Sequence, residues 1–401
     1  MASSFGWVDY SETERRRMIE LISRFGEQDT RDELGIGTVR DAFADLMFPG
    51  TSTIQTRARY MLFIPWIYIA HERRRTPTGE VRGKARQDEV SLIYALLKTA
   101  DTDGVIGKEA KAGLQRLPST IYWSGLGVWG IRRFEGSQEQ YHRSLSRWYI
   151  RKANLRKEDG EFLDGILREN WDPAIPPQPE GFPHSASLEL TKEEAVYLYD
   201  RIVKNCNNSV LAHLVDKTRP AEVKFPWMHP ELASFPPNLR EQIEHARNFS
   251  EAMHGAALLY NLMLAEQKRD NELIIEYEAA LTEWSGRLAR RPELRAWDRR
   301  RFWETVEQQN AAIPYSTRRF VDRWLDSALL RFGSEMVGDK SARDLIAERE
   351  YTLKRSRARL QNRRALDNWN GAAGTAQLNY RWRVVNSIVN DILRGLEGNN
   401  A

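Results

Sequence analysis

Cysteine is almost missing from this chain: Cys206 stands alone among 401 residues. One thiol cannot close an internal disulfide or build a cysteine zinc site. Long apolar runs are missing too. The longest, residues 60–70, is interrupted by Pro65 and is too short to span a bilayer. The opening stretch MASSFGWVDYSETERRR has no apolar signal-peptide core. A cytoplasmic location with no membrane partner is the expectation. Familiar catalytic signatures are also lacking, with no GxSxG, CxxC or HExxH. TGEVRGKA, residues 78–85, is one residue short of a phosphate-binding loop, and Ala85 replaces the hydroxyl that would hold magnesium. Leu34-Gly35-Ile36-Gly37 lacks the glycines of a dinucleotide turn. Asp101 and Asp103 suggest a calcium loop, but Thr99 and Ala110 occupy its first and last ligand positions. No catalytic residue, metal ligand set or cofactor is assigned.

What the chain does contain is helical pattern. Hydrophobic residues make up 41% and mean hydropathy is −0.61, which suits a globular chain with real cores. Ser11 to Glu14 and Thr191 to Glu194 read as capping boxes, each followed by an amphipathic run. Long helical patterns cover 239–266, 271–288 and 317–332. Leu378, Trp382, Val385, Val389 and Ile392 recur at spacings of four and three, with Gly395 as the expected stop. The expectation is a mostly α protein of two helical domains, with room for a short β-hairpin in the N-terminal one. Five prolines between Trp171 and Ala186 set the boundary: a domain over 1–170, a linker over 171–187 and a domain over 188–401. A second proline-rich stretch, 220–237, carries Phe225, Trp227, Met228 and Phe235 and reads as a packed loop. Residues 107–134 allow a winged helix-turn-helix, although Tyr122, Trp123, Leu126 and Trp129 are also spaced as a core face.

Charge is modest overall, at +4, but uneven. Residues 340–383 hold eleven Lys or Arg against four acids, a net of +7, so the remainder sums to −3. On a helix, Ile346, Leu353 and Leu360 line one narrow seam, with Arg349, Arg357 and Arg364 flanking it and Arg355, Arg359 and Arg363 pointing elsewhere. Charge on all sides suits a helix that contacts phosphates, and Arg381 and Arg383 extend the set beside Trp369, Tyr380 and Trp382 as stacking surfaces. A solvated arm with internal salt bridges accounts for the same pattern. With 47 arginines against 13 lysines, the arginine excess fits bidentate phosphate binding and equally a GC-rich genome.

Two further groups stand out. The loop TSTIQTRARY places Thr51, Ser52, Thr53, Gln55, Arg57 and Arg59 ahead of an apolar run that closes on Arg73-Arg74-Arg75. Hydroxyls, an amide and paired arginines in this order read as a ligand or partner site, or as a helix cap with arginines tied to acids such as Asp41 or Asp45. Glu139/His142 and Glu251/His254 have the i,i+3 spacing of di-iron bundles, but Glu139/His142 follows a glycine-broken segment and surface or core polar roles are the default.

The blocks RDELGIGTVRDAFADLMFPGTSTIQTRARYMLFIPW, residues 31–66, and RARLQNRRALDNWNGAAGTAQLNYRW, residues 357–382, resemble an uncharacterised bacterial family known only as a domain of unknown function. The resemblance runs the length of the chain. That family has no assigned catalytic residues, so none carries over. Its members lie near helicase, nuclease and other antiviral-defence genes, which implies a defence role and helicase or nuclease partners by association. The expectation is a nucleic-acid-associated accessory factor, with DNA as the first candidate ligand. A scaffold for an acidic protein partner is the alternative, and a metal-dependent enzyme ranks third.

Overall fold

In a computed structural model describing residues 32–155, 169–330 and 335–398, fifteen α-helices and five short 3-10 turns carry the chain. No strand forms among the described residues; the nearest thing to a hairpin is an isolated bridge between Arg132 and Trp171. The expected winged helix-turn-helix is likewise replaced. Its first helix is a single 3-10 turn, Lys111–Gly113, and in its second, Pro118–Val128, Tyr122, Trp123 and Leu126 are buried. The large aromatics there belong to the core and not to a groove-reading face.

The helical patterns correspond to Pro237–Lys268, Asn271–Ala289, Tyr315–Leu330 and Trp382–Glu397. The Thr191 capping box is formed: Thr191 Oγ1 accepts from the Glu194 N–H (3.3 Å), and Glu194 Oε2 accepts from the Thr191 N–H (3.0 Å). These bonds satisfy donors a helix start would otherwise leave open. The Ser11 box lies outside the described residues.

Two compact units share the chain in alternation. One comprises Met1–Phe43 and Glu244–Leu378, the other Ala44–Ile243 and Asn379–Ala401. The 171–187 segment expected as a linker lies inside the second unit. Trp171 and Phe182 are buried there, Phe182 stacks on Phe63 (5.7 Å), and Trp66 donates its indole N–H to the Pro176 carbonyl (2.7 Å). Proline stopped helix formation, as expected, but the apolar residues between the prolines pack. In 220–237, Phe225 and Trp227 stack at 4.7 Å as a packed loop should, while Met228 is exposed.

In the second unit, Trp382–Glu397 lies against Lys192–Asn205 and Val210–Lys217, with Trp382, Val385, Val389 and Ile392 buried. Gly395 is not the stop. It sits inside the helix, where a Cβ would come within 2.7 Å of the Ala195 Cβ, so it permits a close helix approach. The helix ends at Gly398, whose φ of +74° suits glycine. The first unit has a tighter case. An added Cβ on Gly255 would fall 2.2 Å from the Trp284 ring, while Trp284 donates to the Glu251 carbonyl (2.7 Å) and Trp324 to the Ala252 carbonyl (2.9 Å). Gly255→Ala is therefore expected to destabilise the protein by about 1–3 kcal/mol despite its better helix propensity. Urea unfolding followed by tryptophan fluorescence checks it, through a lower midpoint at unchanged slope.

The Pro118–Val128 helix has no cap from its own flank. Glu89, from Thr78–Leu96, accepts the Ser119 N–H (2.8 Å) and hydroxyl (2.7 Å) instead. Complete burial pushes the Glu89 carboxyl up to about 7 from its ordinary 4.5, against the pull of these Ser119 bonds. The folded protein thus holds this proton more tightly than the unfolded chain. Its contribution is fully present below pH 4.5 and is lost as pH rises toward 7, by about 3 kcal/mol. Glu89→Gln keeps one of the two acceptor oxygens and cannot ionise. The melting temperature of Glu89→Gln relative to wild type should climb between pH 5 and pH 8; parallel profiles would contradict the assignment.

Candidate functional site

The basic window is not one helix. Lys340–Lys354 ends where Arg355 takes a φ of +50°, a 3-10 turn covers Arg355–Arg357, and a short helix follows at Arg363–Asp367. The hub of this break is Glu350, whose carboxylate is fully buried. Its Oε2 accepts the Leu360 N–H (3.0 Å). Its Oε1 accepts the Arg359 N–H (2.9 Å), the Lys354 ammonium (3.2 Å) and the Tyr260 hydroxyl. A carboxylate receiving two consecutive backbone N–H groups turns the chain there. Asn362 Nδ2 donates to the Ser356 carbonyl (2.5 Å) and closes the loop.

This loop sorts the arginines. Arg349 is buried, donating to the Leu34 and Gly35 carbonyls (2.8 and 2.9 Å) and to the Thr317 hydroxyl (2.9 Å), and lies 5.1 Å from the Phe320 ring centre. Burial lowers its pKa. Arg359 is half-buried; burial works against its charge, but Tyr260 and Glu33 raise its pKa overall. Lys354 and Arg359 together hold Glu33 below its usual range despite burial. Arg349 and Arg359 are therefore internal anchors. Arg355, Arg357, Arg363 and Arg364 are exposed, and Arg363 has a 3.4 Å contact with Asp367. The expected apolar seam is also broken: Ile346 is buried, Leu353 is 41% exposed and Leu360 is half-buried.

Arg381 and Arg383 belong to the second unit. Arg381 donates to Asp45 (2.5 Å) and to the Thr51 carbonyl (2.8 Å), and Arg383 is exposed. The expected stacking aromatics face inward: Trp369, Tyr380 and Trp382 are buried, with Trp369 bonded to Asn261 (3.2 Å) and Trp382 to the Val223 carbonyl (2.8 Å).

TSTIQTRARY folds as an internal anchor of the second unit. The Thr51 hydroxyl donates to the Phe48 carbonyl (2.7 Å), and Gln55 bridges the Ser52 N–H (3.1 Å) and the Gly50 carbonyl (3.2 Å). Arg57 grips Asp391 through Nε (2.9 Å) and Asp101 through Nη1 (2.7 Å). Arg59 reaches Glu194 (2.7 Å) and the Ser187 hydroxyl (2.8 Å). Thr53 alone of the six expected site residues is exposed. The carboxylates differ from the Asp41 and Asp45 anticipated: Glu194 and Asp391 arrive on distant helices and Asp101 from a loop.

Each histidine pair is engaged within its own unit, Glu139/His142 in the second and Glu251/His254 in the first. His142 Nε2 lies 3.2 Å from the Tyr68 hydroxyl and burial lowers its pKa to about 4, while Glu251 pairs with Arg247 and Arg291, and His254 Nε2 contacts the Thr375 carbonyl (3.0 Å). Among the described residues no three His, Cys, Asp or Glu cluster as metal ligands.

The second unit also holds a cavity of about 420 Å³ between the end of Tyr60–Arg73, the helix Gln138–Leu155 and residues 169–175. Glu72, Arg73, Arg75, Trp148, Tyr149 and Trp171 line it. Only the Arg73-Arg74-Arg75 run signalled it in the sequence; Glu72 and Tyr149 carried no spacing that would single them out.

Fold and site together define an all-α protein among the described residues, with an exposed arginine loop and a cavity of mixed polar and apolar lining. Residues 2–394 match the family described as "Family of unknown function (DUF6361)", and the chain belongs to it. No curated protein and no solved structure matches. Among the described residues, no helix is long and apolar enough to cross a membrane.

Proposed function

We propose that the protein binds nucleic acid through the loop 355–364, as an accessory factor that contacts the phosphate backbone. The observation that carries this reading is the sorting of the arginines. Glu350 and Asn362 hold the loop, Arg349 and Arg359 are anchored inside, and Arg355, Arg357, Arg363 and Arg364 are left exposed on one short closed loop. Planar guanidinium groups on a fixed backbone suit phosphate oxygens, and such contacts carry affinity without reading bases. The resemblance that links the family to helicase and nuclease genes suits an accessory of this kind, with antiviral defence as the setting.

Four phosphate contacts predict a slope near −3.6 in log affinity against log salt on duplex DNA. Arg357→Ala with Arg363→Ala should lower it by roughly two units while the melting temperature holds, since both side chains are exposed. Fluorescence anisotropy with duplex DNA, single-stranded DNA and RNA at several salt concentrations measures it. Binding that ignores the double change, or no binding at low salt, would end the nucleic-acid reading and favour an acidic protein partner.

A further inference from the structure

The geometry points to the 420 Å³ cavity of the second unit as a binding site for a mononucleotide, either free or at the end of a strand. It uses none of the residues of the arginine loop, so the two readings stand or fall separately.

Glu72 presents the first feature. Its Oε1 accepts from the Tyr141 hydroxyl (2.6 Å) and from Asn170 Nδ2 (2.9 Å). Those bonds hold the carboxyl in place, and Oε2 accepts no hydrogen bond among the described residues. Burial raises the Glu72 pKa despite the two bonds. The group can therefore accept from an amino or imino N–H of a base or, when protonated, donate to a carbonyl. The second feature is the Tyr149 hydroxyl, which is buried without a hydrogen-bond partner among the described residues. Glu72 and Tyr149 both line the cavity. A buried hydroxyl left unpaired is costly, and a ligand acceptor relieves that cost.

The third feature is charge in the lining. Arg73 and Arg75 are exposed, and neither has a carboxylate partner among the described residues. By contrast, Lys152 is held by Glu169 (2.8 and 3.0 Å), and Asp172 is held by Arg133 (2.6 Å) and Arg201 (2.8 Å). Among the described residues, the lining cations without a carboxylate are thus these two arginines, and they suit a phosphate. Trp148 and Trp171 supply apolar lining. The ligand that satisfies all three features has a flat polar ring for Glu72 and Tyr149 and a phosphate for the arginines. A cavity of this size lies in the usual range for small-molecule sites.

Isothermal titration of the full chain with AMP, GMP, CMP and UMP tests it. At least one should bind at one site per chain, and Arg73→Ala with Arg75→Ala should weaken it about tenfold or more. Tyr149→Phe should weaken it about fivefold without lowering the melting temperature, because it removes only an unpaired hydroxyl. That readout separates loss of a ligand contact from loss of fold. A 5′-phosphorylated dinucleotide competing as well as the monomer assigns the site to a strand end; competition by the monomer alone assigns it to the free nucleotide; both support the site. Absence of binding at millimolar nucleotide, equal binding of the unphosphorylated nucleoside, equal competition by inorganic phosphate, or binding unchanged in both variants overturns it.

Discussion

Glu350→Ala is expected to lower stability by about 3–5 kcal/mol. The carboxylate is fully buried and serves four donors: Tyr260, Lys354 and the N–H groups of Arg359 and Leu360. Alanine would leave two backbone N–H groups unpaired and the Lys354 ammonium with Glu33 as its carboxylate partner. Glu350→Gln tells the charge from the shape. An amide has one acceptor oxygen, so it can serve only one side of the turn and should recover part of the loss. Because Glu350 positions residues 359–360, alanine should also weaken the salt-dependent DNA binding proposed for the loop, even at temperatures where the protein remains folded. Chemical denaturation gives the first quantity and anisotropy the second. A stability change below about 1 kcal/mol would mean that the turn is held by other means.

Asp391→Ala is expected to cost about as much, roughly 3–5 kcal/mol, in the second unit. Asp391 lies on the C-terminal helix and accepts from both Arg57 Nε (2.9 Å) and the Ala58 N–H (3.0 Å). Its side chain is only 7% exposed and that of Arg57 12%, so neither charge can fall back on water. Removing the aspartate would leave Arg57 with the half-exposed Asp101 as its carboxylate partner and the Asp103 carbonyl (3.1 Å) as a second acceptor. The melting temperature should fall on the order of 10 °C for a unit of this size. Asp101→Ala is the contrast: a solvent-facing carboxylate contributes about 0–1 kcal/mol, so its loss should be barely measurable. Equal effects from the two substitutions would contradict the burial argument.

These two carboxylates mark where reading the sequence reaches its limit. The helices, the Thr191 capping box, the absence of a disulfide framework and the concentration of arginine in 340–383 follow from local signals alone: periodicity, capping chemistry and composition act over a few residues. The helix Trp382–Glu397 is legible for the same reason, since its apolar positions recur every three or four residues. The roles of individual arginines are not local. Arg349 is an anchor because the Leu34 and Gly35 carbonyls reach it, and Arg57 because Asp391 does, across separations of more than 300 residues. Nothing near either arginine in the chain distinguishes it from exposed Arg357 or Arg363. Prolines likewise predict an interrupted helix but not whether the interruption is free or packed, and at 171–187 the burial of Trp171 and Phe182 decided that. Sequence periodicity determined where helices form; only the tertiary structure decided which charges are buried and which remain for a partner, because desolvation and pairing depend on neighbours the chain brings together from far apart.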